Sequence, residues 1–161
     1  MRRMMTSCVC LSLLVSTLCF AQSRRSHSAS CMWFGQSAWV SFTDDIFVGK
    51  PQWATTELTD PPLSIALACR KAEAYVATTK ADQLTYAMSS ASIDRYFDTG
   101  NWYYRVRFDA VLSPGDQSWK TTEPYRTLLA TGRYAGHTNS PPRLDVFLLL
   151  SGEVVAPQME D

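Results

Sequence analysis

Side chains able to do acid–base, nucleophilic or metal chemistry are sparse in this chain of 161 residues. His27 and His137 are its 2 histidines. A Ser-His-Asp triad would have to use His137, which lies in the run GRYAGHTNSPP, where an imidazole is ordinarily a solvated loop group. Cys69 and His137 could in principle form a thiol–imidazole couple. Cys69, however, falls on the apolar stripe of a helix, where a thiol packs as a small hydrophobe. The acidic doublets Asp44-Asp45 and Glu160-Asp161 have nothing near them that suggests metal ligation. Past residue 21 there is no Gly-rich phosphate loop, HExxH, Gly-x-Ser-x-Gly or Cys-x-x-Cys. The residues imply no catalytic site, no metal site and no cofactor.

Side chains suited to recognition are more plentiful. Tyr103, Arg105 and Arg107 share one face of a strand with Asp109. That face reads either as a solvated outer surface with cross-strand pairing or as a shallow recognition surface, where Tyr and Arg are enriched. The long segment 113–142 carries Trp119, Tyr125 and Tyr134, and loop aromatics on a rigid frame suit recognition. These six residues form the candidate binding surface, with a protein, peptide or envelope polymer as the expected partner. Cys31 and Cys69 either form one disulfide or remain free thiols.

Compartment is read from the N-terminus, MRRMMTSCVCLSLLVSTLCFAQS. Arg2 and Arg3 give a positive start, and Val9 to Phe20 form an apolar stretch shorter than the roughly 20 residues a membrane-spanning helix needs. Cys19 and Ala21 are small and two apart, the pattern preceding signal cleavage. Residues 1–21 are expected to be a cleaved export signal, which places the mature protein in the periplasm or outside the cell and not in the membrane. The whole chain has 15 basic and 15 acidic residues. Losing Arg2 and Arg3 leaves 13 basic against 15 acidic, with no basic run able to track phosphates, so nucleic acid is not an expected partner.

The elements that would position these residues follow from periodicity. Residues 22–30 read as a disordered leader, and 31–60 as an aromatic-rich segment with a short strand over Ala38–Phe42. Ser64 can cap a helix in which Ile65, Ala68, Cys69, Ala72 and Val76 form one stripe, ending near Thr78-Thr79. Leu84, Tyr86 and Met88 alternate as a strand that can run on toward Ile93. WYYRVRFDAVL alternates cleanly about Val106 and Phe108, and RLDVFLLL gives a further strand, followed by a turn at Ser151-Gly152 and a short return through Val154-Val155. The expected class is α+β: one main helix on an antiparallel sheet of three to four strands within residues 61–157, interrupted by the long loop 113–142.

Several stretches carry a resemblance: Pro61-Pro62-Leu63-Ser64 with the Ala-rich helix, Asn101–Phe108, Pro141–Leu148, and Ser151-Gly152-Glu153-Val154-Val155. Together they resemble the PepSY-like domains of the wider cystatin-like group, as found in small exported bacterial proteins. The resemblance implies a small α+β module of a kind associated with binding or with inhibiting peptidases, and it carries over no catalytic residue. A non-catalytic exported binding or regulatory module is the expected function. The alternatives are a small secreted enzyme with a pocket between helix and sheet, and a structural envelope component.

Overall fold

A computed structural model describes residues 26–54, 59–79, 82–97 and 99–159. The expected signal, 1–21, lies outside the described residues. The described residues fold as α+β, with two antiparallel sheets and one main helix. The expectation of a single sheet is corrected by the first two strands, β1 (Ser26–Trp33) and β2 (Gln36–Thr43), which pair as a hairpin. A 3-10 turn, Asp44–Phe47, follows. Helix α1 (Ile65–Thr78) leads into β3 (Tyr86–Tyr96) and β4 (Asn101–Ala110). Next come a 3-10 turn at Ser118–Thr121 and the short helix α2 (Tyr125–Ala130). Strands β5 (Arg143–Leu149), β6 (Val154–Val155) and β7 (Gln158–Met159) complete the described chain. One sheet runs β3-β4-β5-β6, and β7 joins the hairpin in the order β1-β2-β7.

Helix α1 forms where its periodicity places it. The Ser64 hydroxyl accepts the Leu67 N–H at 3.3 Å, and of the expected stripe Ala68, Ala72 and Val76 are buried, Cys69 is half-buried and Ile65, in the first turn, is exposed. That stripe lies on the face of the four-stranded sheet bearing Tyr104, Val106 and Phe108, with Leu144, Val146 and Leu148 opposite them on β5. The Tyr104 hydroxyl donates to the Leu63 carbonyl at 2.5 Å and anchors the chain just before the helix. Small alanines let helix and sheet approach closely, so apolar burial here comes mainly from the strand side chains.

The opposite face of the sheet is covered by the hairpin. Phe42 stacks on Tyr103 with ring centroids 4.1 Å apart and meets Phe147 edge-on at 5.9 Å. His27, Ala29, Cys31 and Trp33 of β1 stand on one side of the hairpin, paired with Phe42, Val40, Ala38 and Gln36. Ser26, Ser28 and Ser30 face outward and are exposed. Residues 26–30 are therefore strand and not a disordered leader: serine on the wet side and small apolar groups on the dry side are enough once a partner strand exists. Buried residues from Cys31 to Phe47 belong to the same core as those of β4 and β5, so the N-terminal segment is part of the domain.

The hairpin turns through Phe34 and Gly35, both with positive φ (47° and 78°). This is the conformation a two-residue hairpin turn requires, and phenylalanine adopts it at a cost. Its ring is buried beside Trp33 and Tyr86, which offsets that cost. Gly35 has no alternative: a Cβ there would lie 2.6 Å from the Tyr134 ring. The Gly35 carbonyl also accepts the Ala135 N–H at 2.9 Å, which ties the hairpin tip to the segment after α2.

A charge introduced at Val106, fully buried between the layers, has no partner within reach. Val106→Asp is expected to destabilise by more than about 4 kcal/mol, while Ser90→Asp on the exposed β3 stays within about 0.5 kcal/mol. Denaturant unfolding of both variants checks this; equal midpoints would invert the face assignment.

Candidate functional site

The strand face expected to offer Tyr103, Arg105 and Arg107 to a partner is covered in part by the hairpin, which buries Tyr103 and leaves the Arg105 and Arg107 side chains 30% and 33% exposed. Tyr103 is 6% exposed beneath Phe42. Arg105 and Arg107 turn inward on Asp145 of β5, a carboxylate with 1% of its surface exposed. Arg105 Nε and Nη2 donate to its two oxygens at 3.1 and 3.0 Å, and Arg107 Nε donates at 3.1 Å. The Met32 backbone N–H of β1 completes the set at 3.1 Å, and Arg105 also reaches the Ser30 carbonyl at 3.3 Å. Burial by itself would raise the Asp145 carboxyl; the bonds from Arg105, Met32 and Arg107 and the Arg105 charge outweigh it and hold the group below its usual range. The Arg105 guanidinium is raised in turn, first by its hydrogen bond to Asp145. This node joins the two sheets.

The loop aromatics are interior. Trp119 is 1% exposed and Tyr125 0%. With Leu128 they form a second small core, against which Leu84, Leu112, Leu129 and Tyr134 pack. Tyr134 is half-buried, its ring 5.3 Å from that of Trp119 and its hydroxyl donating to the Ser140 carbonyl at 3.0 Å. Burial pushes the Tyr134 phenol up to about 12. The expected mobile recognition loop is thus a packed subdomain: two short helices and three aromatic rings give residues 113–142 enough apolar area to order themselves.

Cys31 and Cys69 are free thiols. Cys31 is buried on the hairpin side near Asp145 and Arg105, and Cys69 lies on α1 beside Tyr104, so the sheet stands between them. Burial raises the Cys31 thiol to about 11, which leaves it inert. His137 is exposed and lines a hollow of about 270 Å³ with Met32, Gly136 and Arg143, and Cys69 is not among the lining residues. Among the described residues no three His, Cys, Asp or Glu side chains gather as a metal site.

Two groupings went unread in the sequence. The first is a cleft of about 160 Å³ between α1 and the sheet, lined by Glu73, Val76 and Ala77 on the helix and by Leu84, Thr85, Tyr86 and Phe108 below. Its mouth is framed by a helix and a strand, elements that hold shape without a ligand. The second grouping is beside it. Tyr86 and Tyr125 place their hydroxyls 2.6 Å apart, and both donate to the same oxygen of Asp82, Tyr86 at 2.7 Å. The other oxygen of Asp82 accepts the Leu84 N–H at 3.1 Å. Burial foremost raises both phenols, so near neutral pH they remain protonated donors. The cluster pins the start of β3 to α2 and fixes one wall of the cleft.

No family model, no curated protein and no solved structure matches this chain. Among the described residues no helix is long and apolar enough to cross a membrane.

The Asp145 node makes a signed prediction. A carboxyl depressed in the folded state stabilises the fold above its unfolded value, about 3.9, and that stability is lost as pH falls through the folded value. Asp145→Ala strands two guanidiniums and a backbone N–H. A cost of about 3 kcal/mol is expected, at the low end for a broken buried pair because both arginines can turn partly to water. Asp109→Ala, in the exposed pair with Arg143, should cost at most about 1 kcal/mol. Unfolding at pH 7 and pH 3 checks both, with the wild-type advantage over Asp145→Ala shrinking at the lower pH.

Proposed function

We propose that this chain is exported through a signal at residues 1–21 and acts as a non-catalytic binding module, with the cleft between α1 and β3 as its site for a protein or peptide partner. The observation that carries the reading is the cleft itself, an apolar recess on rigid elements with one carboxylate, Glu73, at its rim. A cavity of about 150 Å³ holds a benzene-sized group, so a recess of about 160 Å³ suits one apolar side chain of a partner and is small for most metabolites. A PepSY-like or cystatin-like kinship is part of this reading, and the layer of α1 on β3–β6 is what supports it.

An enzyme reading draws on the Tyr86–Tyr125–Asp82 cluster at the cleft wall. Chemistry favours binding: burial raises both phenols, so near neutral pH neither supplies a phenolate to attack a substrate or take its proton.

The test starts from protein recovered after export, whose intact mass should begin at Gln22. Toluene and phenol are titrated into the isotope-labelled chain while amide resonances are followed. Saturable shifts at Val76, Ala77, Thr85 and Phe108 are expected. Shifts confined to the His137 hollow would move the site, and turnover of ester or peptide reporters that stops in Tyr86→Phe would replace binding with catalysis. A species retaining residues 1–21 in the membrane would remove the export step.

A further inference from the structure

The cleft opens beside a strand edge whose backbone is unpaired, and the phase of the β3–β4 ladder says which groups are free. In an antiparallel pair, opposed residues alternate between those that exchange both backbone bonds and those that exchange none. Val111 N–H donates to the Thr85 carbonyl at 2.8 Å, one step before Tyr86 opposes Ala110. Ala87 opposite Asp109 is then a bonded pair, and Met88 opposite Phe108 is not. Past the bulge at Ser89 the phase set by β4 continues: Ser90 with Arg107 and Ser92 with Arg105 are bonded, while Ala91 with Val106 and Ile93 with Tyr104 are not. The N–H and C=O groups of Met88, Ala91 and Ile93 therefore point away from β4. β3 ends the sheet order, and no described residue bonds these groups.

Three further features of this edge agree. From Ala87 to Ile93 it carries no charge and no proline, devices that ordinarily blunt an open edge. The residues with outward backbones oppose Phe108, Val106 and Tyr104, so their side chains stand on the α1 side of the sheet, and Met88 is 44% exposed there. Phe108, opposite Met88, also lines the cleft. A strand laid along β3 would direct alternate side chains to the α1 side, toward the recess. At the rim, Glu73 makes no side-chain hydrogen bond or ion pair with any described residue, so the charge there is complementary to a cation.

We propose that the partner is an extended peptide segment that adds to the four-stranded sheet along β3, bonding the outward backbone groups of Met88, Ala91 and Ile93, seating one apolar side chain in the α1–β3 cleft and bringing a Lys or Arg to Glu73. This deepens the binding reading above and rests on it. The bulge divides the edge into two short runs, which suits a short guest strand better than indefinite edge-to-edge growth.

The test is a selection of random displayed octapeptides on the purified chain, followed by affinity measurement with the enriched peptides. Enriched sequences should pair an apolar residue with a nearby Lys or Arg. Glu73→Lys should lower affinity at least tenfold and shift selection toward acidic peptides. Ala91→Pro removes an outward donor without touching the β3–β4 ladder. It should leave the unfolding midpoint near wild type and weaken binding at least tenfold, whereas Ser92→Pro should destabilise the fold. If Ala91→Pro fails to fold, N-methylation of the peptide replaces it: methyl groups on alternate amides of one set should abolish binding, and those of the other set should not. Peptides that shift Val76 and Phe108 yet ignore Ala91→Pro and N-methylation would overturn strand addition while the binding module stands. No enrichment at all would overturn both. A dimer that Ala91→Pro dissociates would put a second copy on the edge in place of a peptide.

Discussion

The buried carboxylate of Asp145 is where the two sheets of this protein are joined by more than apolar contact. It stands in a strand that is apolar from Val146 onward, accepts from Arg105 and Arg107 of the neighbouring strand, and takes the Met32 N–H from the hairpin. A charge so placed is tolerated only because every lone pair has a donor. The geometry also fixes register. Slipping β1 by one residue would move the Met32 N–H off Asp145 and rotate Cys31 and Trp33 out of the core. An apolar residue at 145 could have given comparable stability. What the ion cluster adds is a single docking position: it fixes the register of a hairpin whose inner face already buries Trp33, Val40 and Phe42.

Because that hairpin sits over Tyr103 and Phe147, the four-stranded sheet is covered on both faces, by α1 and by β1–β2. The hairpin tip then reaches further: Trp33 meets Tyr75 of α1 with centroids 5.9 Å apart, and Gly35 meets Tyr134 of the loop subdomain. Docking one element therefore orders three others. Among the described residues, the cleft beside β3 is framed by a helix and a strand. Function is read from that cleft. The residues richest in recognition chemistry by type, the arginines and loop aromatics, are already spent on holding the molecule together.

The sequence made half of this arrangement legible. Helix α1 was readable because Ser64 and the Ala68-Ala72-Val76 stripe agree, and β4 and β5 because alternation about Val106 and Val146 is strict. Hairpin β1–β2 was not: Ser26, Ser28 and Ser30 mimic a disordered tail, and Phe34-Gly35 lacks the Asn-Gly or Asp-Gly pair that usually announces such a turn. Alternation separates Tyr103, Arg105 and Arg107 from Tyr104 and Val106, but it cannot say which face is wet when a second layer comes from far away in the chain. The same limit hid the cleft. Glu73, Val76, Thr85 and Phe108 share a site only once α1 has chosen its face. Trp119 and Tyr125 read as exposed because proline and glycine around them signal a loop, and a loop's private core leaves no periodic trace.

The N-terminal hairpin is a core layer, and the β3 edge is open. Amide hydrogen exchange under native conditions tests both together. The inward amides of β2 should be protected to the same free energy as those of Val106 and Val146, in one cooperative unit. Within β3, Ser90 and Ser92 should exchange slowly, and Met88, Ala91 and Ile93 orders of magnitude faster. Rapid exchange throughout residues 26–43, or uniform protection along β3, would contradict this arrangement.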